Sequence, residues 1–164
     1  MKPAPFDYVR ATSVDEAVAA LAAANGEAKL LAGGQSLVPM LNFRLIDAPV
    51  FVDINAIAGL AGIDETADGG LRIGALARHY DVETSAAVKQ RFPVLSEAMK
   101  HVAHLAIRNR GTIGGSLSHA DPAAELPAMS VLLDATIETA SPSGGRRIAA
   151  GDFFVAPLTT VLAE

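Results

Sequence analysis

Glycine, hydroxyl and amide groups concentrate at two places in the chain, Leu31-Ala-Gly-Gly-Gln-Ser-Leu37 and Arg110-Gly-Thr-Ile-Gly-Gly-Ser-Leu117. Glycine has no Cβ and tolerates positive φ, so successive backbone amides can turn toward one point and approach an anion closely. Ser36, Thr112 and Ser116 add hydroxyl donors, and Gln35 adds a side-chain amide. Arg108 and Arg110 flank the second segment, where either could also simply face solvent. Taken alone, Gly33-Gly34 reads first as an ordinary strand-end turn. Two such segments far apart in one chain read as a clamp on a diphosphate. Neither matches a known phosphate signature: Gly111-Thr-Ile-Gly-Gly is not G-x-G-x-x-G, and G-x-x-x-x-G-K-[ST] does not occur. Residue chemistry by itself therefore ends at an anion-binding α/β protein.

Other reactive side chains suggest less. His101 and His104 lie three apart, but no cysteine or acidic residue stands beside them at ligand spacing, so no metal site is expected. His119 and Asp121 lie near serines, yet the G-x-S-x-G elbow of a hydrolase is missing, and His119 is read as part of the second glycine-rich segment. Arg146-Arg147 reads as a solvated turn. The sequence contains no cysteine, so these residues can neither form a disulfide nor ligate an iron–sulfur cluster through thiolates. A formal charge of −5 argues against a broad grip on nucleic acid. The longest helix-like apolar run, residues 17–24, falls far short of the roughly 20 residues that span a bilayer. Met1-Lys-Pro-Ala-Pro-Phe6 lacks the apolar core of a signal peptide, and a cytoplasmic location is the expectation.

The elements that must hold the two segments can be read from pattern. With 164 residues, 51% hydrophobic but only 5% aromatic, the chain can build an aliphatic core. Phe6 to Val9 reads as an edge strand. Ser13-Val-Asp-Glu16 is a capping box, and Val14, Ala17, Val18, Leu21 and Ala24 follow helical spacing up to Asn25-Gly26. Lys29 to Ala32 reads as a buried strand delivering the first segment, and Phe51 to Ile54 as another strand, giving β-α-β-β. Further on, Ile63–Thr66 and Leu71–Leu76 form a hairpin across Asp68-Gly-Gly70. Helix follows over 81–88 and from Pro93 to about 106. Asp121-Pro122 reads as the N-cap and first position of a helix reaching about Leu133. A second hairpin spans 135–148. Residues 1–54 are expected to form one lobe and residues 55–164 a second, incomplete one.

At the two glycine-rich segments the chain resembles a specific family. Ala32-Gly-Gly-Gln-Ser36 with Leu37 to Arg44, and Thr112-Ile-Gly-Gly-Ser116 with Ile107 to Gly111 before it and His119 to Pro127 after it, resemble the two FAD-binding loops of the flavoprotein (medium) subunits of molybdenum hydroxylases. Ile73 to Arg78 and Gly151-Asp-Phe-Phe154 match as well, so the resemblance runs through the whole chain. It is nearest to the group of carbon monoxide dehydrogenase and xanthine dehydrogenase medium subunits. The resemblance implies an α+β, PCMH-type (vanillyl-alcohol-oxidase-like) FAD-binding fold of two α+β lobes with FAD between them. It also implies that a C-terminal domain is absent, as in a truncated or split subunit.

On the same resemblance, Lys29, Leu30, Leu31, Ala32, Gly33, Gly34, Gln35 and Ser36 would wrap the diphosphate from the first lobe. Gly111, Thr112, Ile113, Gly114, Gly115 and Ser116 would hold it from the second. Val102 would touch the cofactor from the preceding helix, and Glu125 would hydrogen-bond the nucleotide portion. No residue of the chain would act as a catalytic acid or base. The implied role is that of an FAD-binding electron-transfer subunit. Electrons would arrive from two [2Fe–2S] clusters on a small iron–sulfur subunit, fed by a molybdenum-cofactor large subunit, and leave to an external acceptor. The implied assembly is a dimer of heterotrimers. Two alternatives stay open: a self-sufficient flavin oxidoreductase, and a non-catalytic nucleotide-binding or interaction remnant.

Overall fold

The structure is a computed structural model and describes residues Lys2–Leu162. Its contacts divide the chain into two compact units: one holds the residues up to Ala58 together with Thr139–Arg146, the other Gly59–Glu138 together with the segment from Arg147 onward.

The first unit is built on a parallel sheet of β1 (Asp7–Arg10), β2 (Ala28–Leu31) and β3 (Val50–Asp53), in the order β1-β3-β2. Parallel neighbours need crossover connections, which is why a helix follows each edge strand. Helix α1 (Val14–Ala23) starts at Ser13, whose hydroxyl accepts the Glu16 amide at 3.1 Å. The Glu16 carboxylate closes the cap one residue earlier than a capping box does, taking the Thr12 amide at 2.7 Å and hydroxyl at 2.8 Å. Helix α2 (Leu37–Asn42) intervenes before β3, where the expected order was β-α-β-β, and carries Pro39 in its first turn. In the first turn a proline lacks only an N–H that would have no helical partner anyway. The chain is therefore β-α-β-α-β here. Central β3 carries the buried Phe51 and Val52, and Phe51 packs with Leu41 and Ala48 and edge-on against Phe6. The expected buried strand before the first glycine-rich segment is instead the edge strand β2, with only Ala28 buried.

The second unit opens with the antiparallel hairpin β4 (Ile63–Glu65) and β5 (Leu71–Ile73). Helices α3 (His79–Thr84), α4 (Ala86–Arg91), α5 (Pro93–Met99), α6 (Leu105–Arg108), α7 (Ile113–His119) and α8 (Glu125–Leu132) follow. Val82, Val88, Leu95, Met99, Val102, Ile113 and Leu126 form its core. Two expectations change. The second glycine-rich segment is itself a helix, α7, with Thr112 as N-cap. Helix α8 begins at Glu125 rather than beside Pro122, because Asp121 spends its carboxylate on the Ala123 amide (2.9 Å) in a tight turn. The hairpin β6 (Thr136–Thr139) and β7 (Arg146–Ala149) forms as expected, followed by α9 (Ala150–Phe153) and the pair β8 (Phe154–Ala156) and β9 (Thr159–Thr160). Among the described residues, no helix is long and apolar enough to cross a membrane.

Candidate functional site

The first glycine-rich segment joins β2 to α2, and its polar groups divide by type. Its carbonyls are nearly all engaged within the chain. The Leu31 oxygen accepts from the Ile54 amide (3.1 Å) and that of Ala32 from Asn55 Nδ2 (2.9 Å). The Gly33 oxygen accepts from Gln35 Nε2 (2.9 Å), that of Gly34 from the Val38 amide (3.2 Å), and that of Ser36 from the Met40 amide (3.1 Å). By contrast, among the described residues the amides of Gly33, Gly34, Gln35 and Ser36 donate to no acceptor in the chain. Gly34 stands at φ +69°, the left-handed turn that lets neighbouring N–H groups converge into an anion-binding concavity. The Ser36 side chain is exposed and makes no cap to α2. Consecutive unpartnered amides with their carbonyls tied back are a donor set for an anion. That is the group a diphosphate needs, so the segment fits FAD. Gln35, read as a ligand donor, uses one side-chain N–H on the loop itself. Lys29 and Leu30 lie exposed on β2, and Leu31 ends it half-buried.

The second segment is different in kind. Most of its amides are already committed: Gly111 to the Ile107 oxygen (2.7 Å), Ile113 to Ala77 (3.1 Å), Gly114 to Ala75 (2.8 Å), Gly115 to Thr112 Oγ1 (3.2 Å) and Ser116 to the Thr112 oxygen (3.0 Å). Its glycines permit close packing inside the unit. A Cβ on Gly114 would lie 2.7–3.0 Å from the Cβ, carbonyl and Cα of Ala75, and one on Gly111 would lie 2.7 Å from the His79 ring. Among the described residues, the half-buried Ser116 hydroxyl and the amide of buried Thr112 are donors of this segment with no acceptor in the chain. Arg108 is not available to a phosphate. Its Nε pairs with the Glu83 carboxylate at 2.8 Å, and its Nη1 donates to the carbonyls of Val102 and Ala103 at 3.0 Å. Val102 is buried in the core. Glu125 is half-buried at the start of α8. His101 and His104 are exposed, and the described residues contain no cluster of three or more metal-ligating side chains.

Sequence reading missed two groups. Buried His79 donates from Nε2 to the Thr112 oxygen (3.1 Å), so its Nδ1 is the unprotonated nitrogen, and that atom is buried with no partner among the described residues. Burial is the main cause that holds its pKa below the usual histidine value. Asn55 was read only as the boundary between the strand ending at Ile54 and the second lobe beginning at residue 55. An Asp-x-Asn at the C-terminal end of a parallel strand was the available signal, since that edge faces the loops.

A three-stranded parallel sheet with a run of unpartnered amides after β2, joined in one chain to a hairpin-and-helix unit, defines an α+β protein carrying a donor set suited to an anion. Comparison with known proteins fixes the family: residues 4–164 match the FAD binding domain in molybdopterin dehydrogenase, and the chain belongs to that family, whose cofactor is FAD. It is 53% identical over 90% of its length to the 6-hydroxypseudooxynicotine dehydrogenase complex subunit alpha of Paenarthrobacter nicotinovorans, covering 50% of that protein. It is 41% identical over its whole length to the carbon monoxide dehydrogenase medium chain of Hydrogenophaga pseudoflava, covering 57% of it. Among solved structures, quinoline 2-oxidoreductase from Pseudomonas putida 86 superposes with a TM-score of 0.96 at 40% identity, over 99% of this chain and 56% of the other. The PCMH-type fold expected from the resemblance is thus present. The chain spans about half the length of the curated relatives it matches.

Proposed function

We propose that this chain is the FAD-binding part of the flavoprotein subunit of a molybdenum-containing dehydrogenase. The observation that carries the reading is the run of unpartnered amides at Gly33, Gly34, Gln35 and Ser36, with the adjoining carbonyls held back. Those amides and the Ser36 hydroxyl would hold the diphosphate, and Lys29, Leu30, Leu31 and Ala32 deliver them from β2. In the second unit, Ser116 and Glu125 offer a hydroxyl donor and a carboxylate acceptor to the nucleotide. Gly111, Thr112, Ile113, Gly114 and Gly115 act by shaping the start of α7, and Val102 by packing beneath it. When bound, FAD supplies the redox chemistry, accepting electrons from [2Fe–2S] clusters on a partner and passing them to an external acceptor. The absence of cysteine from these 164 residues is consistent with the clusters being held elsewhere. An iron–sulfur small subunit, a molybdenum-cofactor large subunit and a cytoplasmic setting complete the proposal. No side chain here is assigned acid or base chemistry on the organic substrate.

The test is FAD titration of the full chain, followed by quenching of flavin fluorescence, for wild type and Ser36→Asp. Aspartate caps a helix as well as serine does, so the fold should hold. The added charge would face the diphosphate across a few ångströms, a repulsion of about 1–3 kcal/mol. We expect wild type to bind and S36D to bind roughly tenfold more weakly or worse. Equal affinity in the two proteins would refute the cradle.

A further inference from the structure

We infer that Asn55 is the positioning residue of the amide cradle, holding its first peptide plane through the Ala32 carbonyl; the inference rests on the FAD reading above. A peptide unit is planar and trans, so its C=O and N–H point in opposite directions. Fixing the Ala32 oxygen therefore fixes the direction of the Gly33 N–H, fixing Gly33 fixes the Gly34 N–H, and fixing Gly34 fixes the Gln35 N–H. The holds on Gly33 and Gly34 come from Gln35 and Val38, inside the loop and its helix. The hold on Ala32 comes from 23 residues away, from Asn55 Nδ2 at 2.9 Å, with the Leu31 oxygen also within reach at 3.4 Å. Without it, the first plane could turn its carbonyl toward the anion.

Asn55 is itself held. Asp53 Oδ1 accepts both the Asn55 amide (2.8 Å) and Nδ2 (2.6 Å), which leaves the remaining Nδ2 hydrogen aimed at the loop carbonyls. The other Asp53 oxygen accepts the hydroxyl of Tyr8 from β1. The relay runs from β1 through the end of β3 to the loop after β2, so all three strands set the loop's orientation. Partial burial raises the Asp53 pKa, but the bonds from Tyr8 and Asn55 and the charge of Arg10 outweigh it and hold the carboxyl below the usual range. It stays an acceptor at neutral pH.

The experiment titrates the full chain with FAD for wild type, Asn55→Ala and Asn55→Asp from pH 7.5 to pH 5.5, with thermal unfolding of each protein as the folding control. The Asn55 side chain is exposed, so both variants should fold. N55A should weaken FAD about tenfold, as expected for one lost orienting hydrogen bond near charge, by a factor that does not change with pH. N55D replaces the donor by a carboxylate beside Asp53, whose like charge raises the pKa of the pair. Its affinity relative to wild type at the same pH should therefore be poor at pH 7.5 and recover as acid restores an O–H donor. A merely structural role for residue 55 would not produce that recovery. If wild type binds FAD and N55A binds as tightly, or if N55D shows no recovery, the positioning role is overturned while the cradle stands. If wild type binds no FAD, both fall.

Discussion

His79 shows how one buried side chain constrains the second glycine-rich segment. Its ring occupies the space that a Cβ on Gly111 would need, and its Nε2–H holds the Thr112 carbonyl. Protonation would add a donor at Nδ1, which is buried and has no acceptor among the described residues. Burial, the largest influence, holds the folded pKa below 6.5; the Thr112 bond and Glu125 oppose it, while Arg108 and Arg78 reinforce it. Below about pH 6.5 the unfolded chain consequently binds more protons than the folded one. Stability from this group is full above that pH and is lost as pH falls toward the folded pKa. Urea unfolding from pH 7.5 to 5.5 should show a declining free energy, at most about 1.4 kcal/mol per pH unit for one proton. His79→Gln keeps a donor for Thr112 and should flatten that slope; an unchanged slope would refute the assignment. None of this was legible beforehand. The histidines that drew attention, His101 and His104, are exposed, because proximity to other polar residues is visible in a sequence and burial is not. That Gly33, Gly34 and Ser36 lie in a loop after a strand was legible, because glycine and serine at a strand end state their backbone role directly.

At the scale of elements, patterns of period and capping were readable and tertiary approach was not. The Ser13 cap, the Asp68-Gly-Gly70 hairpin and the Pro93 helix start follow from local chemistry, and each is present. Helix α7 was not foreseen, because Gly114 and Gly115 lower helix propensity and packing overrides that preference. Gly114 lies where its amide bonds the Ala75 oxygen and its Cα leaves no room for a side chain. Gly114→Ala should therefore destabilise the chain by about 1–3 kcal/mol with no ligand present. For a protein of this size that is a drop of several degrees, at roughly 2–4 °C per kcal/mol, in thermal melts of FAD-free protein. Gly151→Ala is the matched control, since a Cβ there meets nothing within 4 Å. Equal melting of G114A and wild type would mean that the glycine is kept for a ligand rather than for Ala75.

For the whole molecule, the balance between dipoles and charges decides how an anionic cofactor is held. The chain carries a formal −5, so a diphosphate approaches against a weak long-range repulsion. The proposed holding groups are neutral amides and a hydroxyl. The cation best placed to look like a phosphate ligand, Arg108, is consumed by Glu83 and two carbonyls. Bonds to neutral dipoles at contact distance are barely screened, whereas repulsion from net charge is screened over about 10 Å at 0.1 M salt. Raising ionic strength from about 0.05 M to about 0.5 M should therefore leave FAD affinity unchanged or improve it by up to about twofold. A clamp of lysines and arginines makes the opposite prediction, a steep loss of affinity with salt. Titration of the full chain at both salt concentrations separates the two, and a tenfold weakening would move the diphosphate from the Gly33–Ser36 amides to cations such as Lys29 or Arg110.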